Sequence, residues 1–169
     1  MEKALKVLDG LKTNGLIEDY AIGGGIATIF YIEAILTYDL DIFVIPIISN
    51  KDKKIIDFSH LYKYLTKLGY KWKGEHIIIE GIPVQFIPVD QLEEEAVRKA
   101  KSVVYKGVTT KVLTVEYLIA ILIKVGRSKD IAKVSRLINE VKVDKKKLQA
   151  ILNTFNLTKK YQNIKSKLL

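Results

Sequence analysis

One stretch constrains this chain more than any other. Three glycines, Gly23-Gly24-Gly25, lead into a mostly apolar helix-like segment and then Thr37-Tyr38-Asp39-Leu40-Asp41-Ile42-Phe43-Val44. In an extended strand side chains alternate faces, so Asp39 and Asp41 point the same way while Leu40, Ile42 and Val44 supply apolar packing. Two like charges on one face of a buried strand repel each other in a low-dielectric setting. The usual remedies are a shared proton, a basic partner or a divalent cation; the expectation here is a cation.

Glycines also mark any tight strand-to-helix turn, so the triplet alone says little. Its position says more. A strand, a glycine turn and a helix N-terminus in succession expose backbone N–H groups and the positive end of a helix dipole, a combination suited to phosphate. Asp39 and Asp41 return on the next strand after one helix-length excursion, which brings them beside that turn. A metal held by the acids would then bridge to a nucleotide's phosphates.

The remaining sequence provides the body for such a site. Its 169 residues are 49% hydrophobic, enough for one well-buried core and a small helical appendage. Without cysteine there are no disulfides, thiolate metal sites or cysteine nucleophiles. Apolar runs fall short of the roughly 18 residues of a membrane span. The N-terminus has charges at helical spacing rather than a signal-peptide core, so the expectation is a soluble, cytoplasmic protein with no membrane contact. His60 and His76 have no second ligand at helical spacing and read as structural. Net charge is +9, and from Lys124 onward 13 basic residues stand against Asp130, Glu140 and Asp144, leaving the first 123 residues nearly neutral. That basic excess is either a solvated helix face or a surface for an anionic partner.

Periodicity and punctuation predict a helix over residues 2 to 13, a strand at Tyr20 to Ile22, and a helix from Ile26 to Leu36. The carboxylate strand starts at Thr37 and stops at Pro46. A polar loop over Ser49 to Lys54 precedes a helix capped by Asp57 or Ser59, running to Leu68 with Leu61, Tyr64, Leu65 and Leu68 buried. Strands at His76 to Glu80 and Pro83 to Ile87 read as a hairpin with a type II′ turn at Gly81-Ile82. This register would set Ile78 against Gln85 and put His76, Glu80 and Gln85 on one face. A helix from Gln91 to Lys101 and two short strands around Gly107 follow. Thr114 then caps an apolar helix through Lys124, and three more helices cover Ser128 to Glu140, Asp144 to Thr154 and Leu157 to Leu169. The fold class is therefore α+β. A small mixed sheet with flanking helices spans residues 1–113, and a helical subdomain over 114–169 folds back onto it.

The pattern of hydrophobic-Gly-Gly, a helix, then Asp-hydrophobic-Asp-hydrophobic resembles the nucleotidyltransferase superfamily with the DNA polymerase β type of catalytic core. More narrowly, Thr37-Tyr38-Asp39-Leu40-Asp41, together with Lys124, Arg127, Lys129 and Asp130, is similar to the abortive-infection (AbiEii-like) nucleotidyltransferase toxins. The resemblance implies that a nucleoside triphosphate carrying Mg²⁺ or Mn²⁺ sits over the turn at Gly23, Gly24 and Gly25, near Thr37 and Gln85. Asp39 and Asp41 would ligate the metal and Lys124 would steady phosphate charge. An acceptor hydroxyl, on RNA or protein, would attack the α-phosphate and release pyrophosphate. A toxin of this kind also implies a cognate antitoxin.

This chain departs from the superfamily at one telling position. A third carboxylate belongs on a neighbouring strand, and Pro83-Val84-Gln85-Phe86-Ile87 offers Gln85, an amide that cannot act as a general base. Glu80 is a candidate replacement; Asp90 is a weaker one, better placed to cap the helix at Gln91. Two alternatives therefore stand beside the active enzyme: a degenerate relative that binds nucleotide or a partner without turnover, and a basic RNA-binding module whose aspartates are structural.

Overall fold

Leu40, Ile42 and Val44 are fully buried, as expected of one face of a strand that carries the Asp41 carboxylate on the other. The computed structural model describes residues 1–33, 37–47 and 58–168. The expected helix end at Leu36, the loop from Ser49 to Lys54 and the alternative cap Asp57 lie outside the described residues. Chain order within them is α1 (Glu2–Thr13), β1 (Asp19–Ile22), α2 (Gly24–Tyr31), β2 (Leu40–Ile45), α3 (Ser59–Lys67), β3 (Lys71–Lys73), β4 (His76–Ile79), β5 (Ile82–Pro88), α4 (Gln91–Arg98), β6 (Lys101–Tyr105), β7 (Val108–Val112), α5 (Val115–Val125), α6 (Ser128–Glu140), α7 (Lys145–Thr154) and α8 (Thr158–Leu168). The architecture is α+β.

The strands form one mixed sheet in the order β3-β4-β5-β2-β1-β7-β6. At its centre β2 runs antiparallel to β1, with Ile22 opposite Ile42, and parallel to β5, with Asp41 opposite Gln85. Alternation then sorts the side chains. Leu40, Ile42, Ile77, Ile79, Val84 and Phe86 enter the core, while Asp41, His76 and Gln85 face a cleft.

On the other side of that cleft stands the helical segment. α5 is buried from Val115 to Ile123, and a helix that is apolar all round belongs in an interior. It packs against α2, α4, α6, α7 and α8, so the C-terminal helices surround α5 and close onto the sheet region. Gly126 ends α5 in the left-handed conformation, φ 74°, and the Lys160 ammonium donates to the Lys124 carbonyl at 2.7 Å, satisfying a free helix-end acceptor. Asp90 and Asp144 cap α4 and α7 through bonds from Leu92 N–H and Lys147 N–H, each 3.0 Å.

Several boundaries differ from expectation. α2 begins at Gly24 and ends at Tyr31, and β2 begins at Leu40, so Thr37 and Asp39 lie in the segment entering the strand. α4 ends at Arg98 and Lys101 opens β6. Leu68 is exposed rather than buried. The hairpin turn falls one residue early, at Glu80-Gly81, because Ile79 pairs with Ile82 and Ile78 with Pro83. Both turn residues have positive φ, 50° and 79°, so the turn is type I′, whose twist suits flanking strands as well as type II′. β3 was not expected: Lys71, Trp72 and Lys73 are all exposed and give no period-2 signal.

Candidate active site

Antiparallel pairing of β1 and β2 delivers the glycine turn to the carboxylates. The ladder continues one step past β1, where Gly23 N–H donates to the Asp41 carbonyl at 2.9 Å. Gly24 follows with φ +53°, and a Cβ there would stand 1.6 Å from Asp41 Oδ2, so only glycine fits. A Cβ on Gly25 would meet Thr37 Oγ1 at 2.4 Å. The turn is thus built around the side chains of Thr37 and Asp41.

Asp41 accepts a backbone hydrogen bond from Gly25. Burial and the neighbouring charge of Asp39 nevertheless push its carboxyl above the usual carboxylate range, while Lys133, Gly25 and Arg127 pull the other way. Asp39 behaves oppositely. Burial disfavours its charge, but the Thr37 hydroxyl, its own backbone N–H and His76 together hold the carboxyl below the usual range. Thr37 Oγ1 donates to Asp39 Oδ1 at 2.9 Å, and His76 Nε2 lies 3.7 Å from Asp39 Oδ2. The pair therefore comprises one carboxylate stabilised as an anion and one kept uncomfortable as an anion.

These groups form part of the floor of a cleft of about 1100 Å³, ample for a nucleotide. Its far wall is helical: Leu118 and Ile121 of α5, then Arg127, and Lys129, Lys133 and Arg136 of α6. The spacing of four and three residues puts the last three on one helix face. Arg127 is anchored by the fully buried Asp130, Nε to Oδ2 2.7 Å and Nη2 to Oδ1 3.3 Å. Asp41 and Asp39 both add to the field that stabilises its charge.

The sequence candidates fall in different places. Gly24, Gly25, Thr37, Asp39, Asp41, Gln85 and Lys124 all line the cleft; Gly23 caps α2 just behind the turn. Glu80 does not join them: it occupies the type I′ turn, accepts from Tyr70 O–H at 3.1 Å and sits 3.9 Å from Lys3. The shift of the turn takes Glu80 out of β4, which ends at Ile79, and carries it past the strand end, away from Gln85. Lys124 reaches the cleft but is already engaged, with its ammonium bonded to Asp90 and to both oxygens of buried Glu93, 2.8 and 2.9 Å away. A hydrogen bond from Glu93, with Lys124 and against burial, holds the Asp90 carboxyl well below its usual range. Burial and Asp90 push the Glu93 carboxyl up. Two further groups line the cleft, His76, which the sequence reads as structural, and Lys133. His76 has no sequence neighbour that signals a site, and Lys133 is signalled only by its shared face with Lys129.

The residues present suit a divalent cation. Two carboxylates pointing into a phosphate-sized cleft match the way Mg²⁺ binds, through one or two protein carboxylates with substrate phosphates and water completing its shell. A cation would also relieve the repulsion that burdens Asp41. Among the described residues no three His, Asp or Glu side chains are gathered closely enough to hold a metal by themselves.

No protein-family model and no curated protein matches the sequence. Solved structures do match. An antigenic nucleotidyltransferase-like protein from Paracoccidioides brasiliensis aligns over 99% of this chain and 92% of its own, with TM-score 0.55 and 18% identity. The antibiotic-resistance factor ANT(2″)-Ia in solution aligns over 98% and 96%, with TM-score 0.52 and 15% identity. Its crystal structure in complex with adenylyl-2″-tobramycin aligns over 89% and 93%, with TM-score 0.50 and 15% identity. The likeness covers both the sheet and the helical tail, and this chain therefore has the fold of the nucleotidyltransferase-like proteins.

Proposed function

We propose that this protein binds a metal-complexed nucleoside triphosphate in the cleft and transfers its nucleotidyl group to an acceptor hydroxyl. The observation that carries this reading is the meeting of Gly24 and Asp41, where a side chain on the glycine would overlap the carboxylate. A glycine turn opening a helix, with the Asp41 carboxylate packed against it and Asp39 beside that, puts an anion-binding backbone and a cation-binding pair in one cleft.

Asp39 and Asp41 would hold Mg²⁺ or Mn²⁺. Such an ion, when bound, neutralises phosphate charge and stabilises the attacking and leaving oxygens of an in-line displacement. The chain's own groups do the rest. The α2 N-terminus offers its dipole to the phosphates, Arg127 held by Asp130 and Lys133 supply fixed positive charge, and Gln85 can donate or accept one hydrogen bond beside Asp41. The acceptor oxygen bonds to the α-phosphorus as the bond to the bridging oxygen breaks, pyrophosphate leaves, and the hydroxyl proton passes to water, since Gln85 cannot take it. An RNA or protein acceptor, a toxin role and an antitoxin belong to the same proposal, on the abortive-infection resemblance. ANT(2″)-Ia, whose crystal structure is in complex with adenylyl-2″-tobramycin, lends support to adenylyl transfer as the type of chemistry.

Gln85 favours a second reading. It faces Asp41 across the parallel β2–β5 pair, the place for a third carboxylate, so a chain that binds nucleotide without turnover is the alternative. Calorimetric titration of each Mg²⁺ nucleoside triphosphate into wild type and Asp39→Asn/Asp41→Asn tests both. Metal-dependent binding that disappears in the double variant is expected. Binding indifferent to metal and to both substitutions would sink the proposal, and pyrophosphate release from an α-labelled nucleotide separates the active form from the inactive one.

A further inference from the structure

Among the described residues, one side-chain nitrogen or oxygen is buried without a hydrogen bond: His76 Nε2. Leaving a buried polar atom without a hydrogen bond costs about 1 to 3 kcal/mol, and a long ionic contact with Asp39 does not supply one, so a fold that keeps it there needs a reason. It does not lie at random in the core. It lies 3.7 Å from Asp39 Oδ2, beyond hydrogen-bonding range, in the cleft floor with Asp41 and Gln85. Two donors on one cation stand roughly 3 to 3.5 Å apart when each bond is about 2.1 Å long, so the separation is close to that of ligands sharing an ion.

Gln85 completes the argument. The strand position opposite Asp41 carries a neutral amide, and the donor set is one anionic oxygen poorer than three carboxylates would make it. The next strand outward, β4, runs antiparallel to β5 with Ile77 opposite Val84, which brings His76 to the flank of Gln85. Resting on the reading of Asp39 and Asp41 as metal ligands, we propose that His76 Nε2 is the third protein donor to that metal. The site then favours a first-row transition ion such as Mn²⁺ over Mg²⁺. The physical basis is ligand preference: Mg²⁺ demands oxygen and parts reluctantly with water, whereas imidazole suits transition ions. Binding draws the three side chains together, since they are not yet gathered as a cluster.

The test uses Mn²⁺ with inorganic tripolyphosphate, which contains no nitrogen, on the full-length protein. Pulsed electron paramagnetic resonance of the wild type should show ¹⁴N coupling to Mn²⁺. His76→Gln should abolish the coupling and weaken Mn²⁺ binding by at least the tenfold or so that loss of an outer-shell partner costs, while Mg²⁺ affinity changes less than about twofold. Asp39→Asn/Asp41→Asn serves as the separate check on the reading beneath. If that variant loses Mn²⁺ but the wild type shows no ¹⁴N coupling, or His76→Gln binds Mn²⁺ as tightly as wild type, the histidine inference falls and the carboxylate site stands. If the wild type binds no Mn²⁺, both fall.

Discussion

Asp39 and Asp41 differ in what surrounds them, and that difference is where sequence reasoning at the residue scale ends. Alternation predicts both on one strand face, but the folded chain starts the strand at Leu40, gives Asp39 the Thr37 hydroxyl and leaves Asp41 half-buried beside its neighbour's charge. Asp41 is therefore a residue the bare fold would do better without. Replacing it with Asn keeps an acceptor for the Gly25 N–H and removes the repulsion. We expect Asp41→Asn to raise the stability of the metal-free protein by about 1 kcal/mol, the usual scale of relief at a functional site, and its Tm by about 2 to 4 °C, while abolishing metal-dependent nucleotide binding. Differential scanning calorimetry without metal reads the first effect; a lower Tm would show that the carboxylate is structural. Lys124 shows the same limit from the other side. The family resemblance implies a phosphate cation there, and Asp90 and Glu93, distant in sequence, occupy it instead.

At the scale of elements, most helices and strands were readable because their apolar period and end signals agree; α1, α5, α6 and α7 begin and end within a residue or so of expectation. The failures have specific causes. β3 lacks alternation, since both of its faces are exposed. The β4–β5 turn differs from expectation because Gly81 suits the first position of a II′ turn and the second of an I′ turn, and the pairing of Ile79 with Ile82 selects the latter. The β6–β7 hairpin repeats that geometry at Lys106-Gly107, with φ 48° and 79°. A lysine in the left-handed region is costlier there than asparagine. Lys106→Asn should stabilise the protein by about 0.5 to 1 kcal/mol, measurable as a higher urea midpoint with unchanged slope. A lower midpoint would mean that the turn relaxes to another type.

Across the whole molecule, the paired carboxylates outside the cleft set the acid limit. Burial opposes the charge of Asp19 and Glu116, but Lys111 and Lys12 on the first and Lys147 on the second outweigh it, so both folded carboxyls lie below their usual range. A depressed folded value means that the unfolded chain binds more protons. Their contribution is thus present above the unfolded pKa, about 4, and is lost as pH falls through the lower folded values. Asp41 and Glu93, both raised, act the other way, weakening the fold as pH climbs above the ordinary carboxyl range. Stability measured by denaturant at fixed intervals should therefore fall steeply below about pH 4, and less steeply in Asp19→Asn/Glu116→Gln; equal slopes would assign acid sensitivity elsewhere. By itself the sequence determined the α+β class, the glycine turn and the two carboxylates beside it, because those follow from local period and from residues a few positions apart. The rest depended on long-range packing. Strand order set Gln85 against Asp41, register moved Glu80 away and brought His76 near, and the docking of α5 and α6 supplied a cationic wall. Each joins residues that are distant along the chain, where no local preference decides between partners and only burial of the common core does.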